Sequence, residues 1–269
     1  MRRTTIGVMI VCSAMMVVSA GGVLNVDQHS AAISEPNPDT MSRSTKESFY
    51  HGYVSFPESR ALLCKRRVNK HCGAIQYEPQ SVEGHKGFPD SPNSPPDGKI
   101  ASGANSQFPE LNQYGKDRWV SVDFPTLARW NKTHVYFNYT WTFTSVHSTT
   151  SFRMFVANNK YNTEEPLARK HLDLKPICAF NFDGHKPPQV LTFGCAISNE
   201  KLQEMEQFTE MLMLSVWDIN DTGNAFYQVI DLLPIRESVI LDGIRRKYEE
   251  DAAVAGILDS NYISNKFFD

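Results

Sequence analysis

Val135-Tyr136-Phe137-Asn138-Tyr139-Thr140-Trp141-Thr142-Phe143-Thr144-Ser145-Val146-His147 places Val, Phe, Tyr, Trp and Phe at its first five odd positions, with Tyr136, Asn138 and three threonines between them. A period of two over this length specifies a half-buried strand, because successive side chains of extended backbone point to opposite faces. Ser145 and His147 continue the apolar parity, so the strand leads its inward face to a histidine. Phe152–Val156, Leu212–Trp217 and Phe226–Leu233 are further runs rich in aromatic and branched residues, bounded by turn formers. Short strands of this kind predict a mainly β fold and a sandwich.

The whole-chain composition agrees. Fifteen Gly, 15 Pro, 16 Phe, 10 Tyr and 4 Trp in 269 residues favour a turn-rich body built from strands. An apolar content of 41% is enough for a core and excludes a disordered chain. With 27 basic and 30 acidic residues the net charge is −3, so no global field draws the chain to nucleic acid or to an anionic membrane. A neutral partner is expected.

The N-terminal end reads as a leader. Met1-Arg2-Arg3 precedes an apolar run from Ile6 to Val18, and Val18-Ser19-Ala20 before Gly21 has the small residues of a cleavage site. This predicts a signal peptide over 1–20 and secretion. A retained membrane span reaching Leu24 is the weaker alternative, since it must count Ser19, Gly21 and Gly22. Residues 21–50 are polar and poor in large apolar side chains, as expected of a pro-segment or linker. With Cys12 in the leader, Cys64, Cys72, Cys178 and Cys195 remain, an even number that predicts two disulfides in a secreted chain. Four cysteines permit three pairings, and the short spacings favour Cys64 with Cys72 and Cys178 with Cys195.

The stretch from Gln80 to Gln113 carries five prolines and four glycines, which predicts a long ordered loop region of the kind that usually serves function. Glu200–Met211 has a helical composition. Beyond Pro234, Ile240, Leu241, Ile244 and Tyr248 recur among charged residues, predicting a helical tail over 234–269 that packs on the body or binds a partner. Lys65-Arg66-Arg67 with Lys70 and His71 reads as a solvated edge, and His29, His85, His134, His171 and His185 as solvated histidines lacking metal-type spacing. Asn131, Asn138 and Asn220 head acceptor sequons.

Several motifs in one order carry a resemblance. They are His51-Gly52-Tyr53, Cys64, Cys72-Gly73, Gln76-Tyr77-Glu78-Pro79-Gln80-Ser81-Val82-Glu83-Gly84, Lys86-Gly87-Phe88-Pro89 and Asp97-Gly98-Lys99-Ile100-Ala101-Ser102. Arg118-Trp119, His147-Ser148-Thr149-Thr150, Val216-Trp217-Asp218 and Asp221-Thr222-Gly223-Asn224-Ala225-Phe226 follow. Together the segment from His51 to Leu233 resembles the chitin-active, bacterial-type lytic polysaccharide monooxygenases. The resemblance implies a fibronectin- or immunoglobulin-like β-sandwich over 51–233 with a flat face bearing one copper ion. His51, through its ring and its α-amine, and His147 would be the copper ligands. Glu83 would be the carboxylate beside the metal and Phe226 the aromatic residue shielding it. Tyr77, Glu78, Pro79, Asp221 and Asn224 would meet crystalline chitin, or less readily cellulose, and an external electron donor would reduce the copper. Ser145 departs from the family's usual alanine, and Phe152 from a common tryptophan. The alternative implied is a non-catalytic chitin-binding or adhesion protein with the same sandwich.

Overall fold

The computed structural model describes residues 51–125, 127–130 and 133–235. The expected leader, the 21–50 segment and the helical tail beyond Ile235 lie outside the described residues. Among the described residues nine strands form two antiparallel sheets. In the first, β4 (His134–Ser145) pairs with β7 (Val190–Ser198) along one edge. Along the other edge it pairs with β1 (His51–Phe56) and β3 (Leu127–Trp130). The second sheet has the order β2 (Glu83–His85), β9 (Asn224–Leu232), β8 (Met211–Ile219), β5 (Thr149–Val156) and β6 (Cys178–Asn181). This is the immunoglobulin-like β-sandwich expected from the sequence. Among the described residues no helix is long and apolar enough to cross a membrane.

Strand β4 behaves as its alternation demands. Val135, Phe137, Tyr139, Trp141 and Phe143 are buried, while the residues between them are half-buried or exposed. They pack against Phe152, Met213, Trp217 and Phe226 of the facing sheet. Cys178–Cys195 ties β6 to β7 across the sandwich, and Cys64–Cys72 closes the loop after α1 (Arg60–Lys65), both in the local pairing.

Strands β8 and β9 show no alternation, and the structure gives the reason: β8 is buried throughout and β9 past its first residue. The proline- and glycine-rich stretch folds over the outer face of the second sheet and builds a second core. Ile75, Val82, Phe88, Ile100, Phe108 and Leu111 from this layer meet Phe155, Leu212, Leu214, Val216, Tyr227 and Val229. Polar contacts fix the layer. Arg153 donates to Asp218 from Nε at 2.7 Å and Nη2 at 3.0 Å, while its Nη1 reaches the carbonyl of Phe88. Arg60 donates to Asp231 at 2.9 and 2.6 Å and to the Leu111 carbonyl at 2.8 Å.

Two sequence expectations need correcting here. The helix expected over Glu200–Met211 is the shorter α2 (Asn199–Met205), capped by Ser198, because Met211 is already paired with Leu232 in the sheet. His171, expected to be solvated, is fully buried, with Nδ1 accepting from the Ala168 N–H at 3.2 Å.

Removing one member of a buried, hydrogen-bonded ion pair leaves the other charge uncompensated. Arg60→Ala is therefore expected to lower the unfolding free energy by about 3–5 kcal/mol, whereas Arg60→Met with Asp231→Leu should be close to neutral. Urea denaturation distinguishes these outcomes, and equal losses in both variants would contradict them.

Candidate functional site

The end of the sandwich where β1 begins and β4 ends gathers the residues that the sequence singled out. His51 opens β1 and pairs with Ser145, with a register shift immediately after it. Thr144 donates to the His51 carbonyl at 3.2 Å, and the Gly52 N–H donates to Gln80 at 3.2 Å, so backbone on both sides fixes the start of the strand. Gly52 has to be small: a Cβ there would lie 2.6 Å from the Phe143 ring and 3.3 Å from Trp217. His147 follows β4 in the short connection to β5 and is 8% exposed.

Both imidazoles lie against one phenylalanine. The ring centroid of Phe226 is 5.8 Å from that of His51 and 6.3 Å from that of His147. Phe226 is fully buried and stacks at 4.9 Å on Trp217, which meets His147 edge-on at 5.8 Å. Trp217 Nε1 donates to Thr149 Oγ1 at 2.9 Å, and the same hydroxyl donates to the His147 carbonyl at 3.1 Å. The indole thus packs beneath the histidine ring and also steadies its backbone. Phe152, which departs from the family's tryptophan, is buried and stacks parallel to Trp217 at 5.8 Å. Phe152 thus lies in the core behind Trp217, which is the ring that meets His147.

His147 Nδ1 lies 3.1 Å from Asp221 Oδ1. An Nδ1–H donated to that carboxylate makes Nε2 the basic nitrogen of the ring, a common way of fixing the tautomer of a ligating histidine. Burial holds the His51 ring below the usual histidine pKa, opposed by the negative charge of Glu83, a backbone hydrogen bond at Gln80 and the charge of Glu78. A neutral ring at neutral pH is the form that binds metal. Glu83 sits on β2 opposite Phe226 of β9, and its Oε1 accepts from Asn224 Nδ2 at 2.8 Å. The next residue is glycine because Gly103 crosses it closely: a Cβ on Gly84 would lie 1.9 Å from the Gly103 carbonyl oxygen.

Around this cluster, Tyr77 is 68% exposed and Glu78 is exposed on the turn after a 3₁₀ segment, Gly73–Gln76. Pro79 does not reach the surface. It is buried, and its carbonyl accepts from Gln228 at 3.0 Å, so it shapes the face from beneath. Asp221 and Asn224, read from the sequence as polysaccharide contacts, also hold His147 and Glu83 respectively. Trp217, Thr149 and Gln80 complete the site. The Val216-Trp217-Asp218 motif was the available sign of Trp217, but its tie to His147 was not legible.

Comparison with known proteins is consistent with this geometry. A family model described as lytic polysaccharide mono-oxygenase, cellulose-degrading, matches residues 51–232. A GlcNAc-binding protein A of Shewanella oneidensis is 38% identical over 182 residues, covering 68% of this chain and 35% of its own length. The chain therefore spans about a third of that relative. An AA10 lytic polysaccharide monooxygenase of Photorhabdus luminescens superposes with a TM-score of 0.59 at 32% identity, covering 69% of this chain and 100% of its own. A Bacillus amyloliquefaciens protein, solved in complex with Cu(I), gives a TM-score of 0.56 at 30% identity, covering 68% of this chain and 99% of its own.

Gly52→Ala tests the packing under His51. Forcing a methyl group against Phe143 is expected to lower stability by about 1–3 kcal/mol, read as a shift in the urea midpoint, and an unchanged midpoint would show that the ring is not tightly held. On the family-model match, the identity to its relatives and the likeness of fold, the chain belongs to the AA10 family of lytic polysaccharide monooxygenases.

Proposed function

We propose that this protein is a secreted, copper-dependent monooxygenase that binds chitin and cleaves it oxidatively once proteolysis before His51 frees the α-amine. The observation that carries this reading is the placement of two imidazoles against the single ring of Phe226, with Asp221 Oδ1 3.1 Å from His147 Nδ1.

The donor set fits copper. Among the described residues no three His, Cys, Asp or Glu side chains cluster as a metal site, so a third protein donor has to come from elsewhere. The α-amine of His51 supplies it, giving the nitrogen-rich set that Cu(II) favours in tetragonal geometry. In the full sequence that nitrogen is joined to Tyr50 as an amide, which is a poor ligand. Removal of residues 1–50 is therefore a condition of the activity. The leader pattern supports export.

When bound, copper would supply the one-electron chemistry by which oxygen with an external reductant, or peroxide, hydroxylates a C–H bond beside the glycosidic link, after which the chain breaks. The remaining work belongs to the protein. His51 and His147 hold the metal, and Asp221 keeps the His147 Nδ1 proton in place. Asn224 engages Glu83 Oε1, leaving Oε2 to hold or pass a proton at the site. Buried Phe226 and Trp217 exclude water from the inner side. Tyr77 offers an exposed ring to stack on a sugar face, while Glu78 and Asp221 offer acceptors for hydroxyl and amide hydrogens. The name of the Shewanella relative refers to GlcNAc, the unit of chitin, and supports chitin over the cellulose in the family description.

The segment ahead of His51 favours one rival, a chitin-binding protein that never completes the site. Two versions of the chain, beginning at His51 and at Gly21, separate the readings. With copper and a reductant, the His51 form is expected to release oxidised chito-oligosaccharides, read by mass spectrometry, and the Gly21 form none. Asp221→Asn in the His51 form should weaken Cu(II) binding about 10–100-fold, measured by calorimetry, and His147→Ala should abolish it. Chitin retention without oxidised product from the copper-loaded His51 form would favour the binding protein.

A further inference from the structure

The basic loop closed by Cys64 and Cys72 reads from the sequence as a solvated edge, yet the structure holds it firmly. Arg67 is in the left-handed region at φ 62° and His71 at φ 53°, conformations that non-glycine residues adopt sparingly. From outside, Arg118 donates to the carbonyls of Lys70 at 3.0 Å and His71 at 3.1 Å, and its guanidinium lies 3.7 Å from the centre of the Trp119 ring. Lys70 Nζ donates back to the Arg67 carbonyl.

The side chain of Arg67 leaves this bracket towards the proposed polysaccharide face. Its Nη1 donates to Gln76 Oε1, and Gln76 Nε2 donates to the Gly73 carbonyl at 2.7 Å, so the guanidinium is fixed in direction. Its central carbon lies 5.6 Å from the centroid of the Tyr77 ring, within the range of a cation–π contact. Among the described residues Tyr77 is the most open of the large hydrophobic side chains, at 68%. A ring so exposed on a turn swings easily unless something covers one side of it.

We propose that Arg67 is a positioning residue for polysaccharide binding: its guanidinium, steered by Gln76 and the disulfide-closed loop, braces the Tyr77 ring so that the ring meets the sugar surface. The inference rests on the chitin-binding reading and deepens it. Arg67 acts through Tyr77 and needs no charge on the polymer. A brace of this kind sets the affinity for an extended solid surface and leaves the metal site alone.

The test is a double-mutant cycle on the copper-loaded, His51-starting chain, with β-chitin as the probe. Arg67→Asn is the first variant, since asparagine tolerates the left-handed backbone and isolates the loss of the side chain. Arg67→Lys keeps the charge but not the forked donor that Gln76 holds. Arg67→Asn is expected to raise the Kd for β-chitin about two- to fivefold, as loss of an exposed cation–π contact implies. Arg67→Lys should recover part of this. Thermal midpoint, Cu(II) affinity and turnover of a small soluble peroxidase substrate should all be unchanged. In a Tyr77→Ala background the Arg67→Asn change should have no further effect. An unchanged Kd, the same loss in both backgrounds, or a fall in thermal midpoint that accounts for the loss would overturn the inference while leaving chitin binding intact. Failure of the wild-type chain to bind β-chitin would overturn both.

Discussion

The stack of Trp217 on Phe226 is the contact on which the site depends. These neighbours in the second sheet are register partners on β8 and β9, and their rings overlap at 4.9 Å in the seam between the sheets. His51 is the first residue of β1 in the other sheet, and His147 lies in the connection that carries the chain from β4 in that sheet to β5 in the second. Backbone pairing sets His51 opposite Ser145 and Trp217 opposite Phe226, and aromatic packing across the sandwich joins the two pairs at the histidine rings. Because Trp217 also hydrogen-bonds through Thr149 to the His147 backbone, the same side chain sets the height of the ring and the path of the chain that bears it.

A second constraint concerns the layer outside the second sheet. A stretch rich in Pro and Gly has little regular structure to satisfy its backbone, yet it contributes a core whose side chains are as fully buried as those between the sheets. Ion pairs fasten it: Arg153 with Asp218, partly buried near the site, and Arg60 with Asp231, buried at the opposite end of β9. These pairs direct where the layer sits more than they add stability, since burying a charge costs about as much as pairing it returns. The result is a fixed face on which Glu83, Tyr77 and Glu78 stand in set positions relative to the histidines.

The sequence revealed the parts governed by local pattern. The alternation of β4 gave a strand, its inward face and the histidine at its end, and the cysteine spacings gave the pairing. Residues governed by contacts between distant parts of the chain were not legible. Asp221 meets His147 across 74 positions and Asn224 meets Glu83 across 141, so both read as simple surface groups. Pro79 looked exposed because its motif lies in a turn, but Gln228 reaches its carbonyl from the sheet below. Buried His171 was hidden for a different reason: its contacts, with the Ala168 N–H, Glu165 and Tyr161, are near in sequence, and a charged run gives no sign that one ring turns inward. Neither β8 nor β9 announced the second core, because a strand buried on both faces has no period to read.

What joins this geometry to chemistry is the nitrogen of His51. In the proposed function the two imidazoles, both against Phe226 in the folded domain, gain a third donor only if the bond between Tyr50 and His51 is cut. The most direct measurement is the N-terminal residue of the protein recovered from its native secretion, by intact mass and terminal sequencing. A mature chain beginning at His51 is the result predicted, since it completes the three-nitrogen set. A mature chain beginning at Gly21, or one retaining Met1, would contradict it and leave a polysaccharide-binding sandwich with an unfinished metal site.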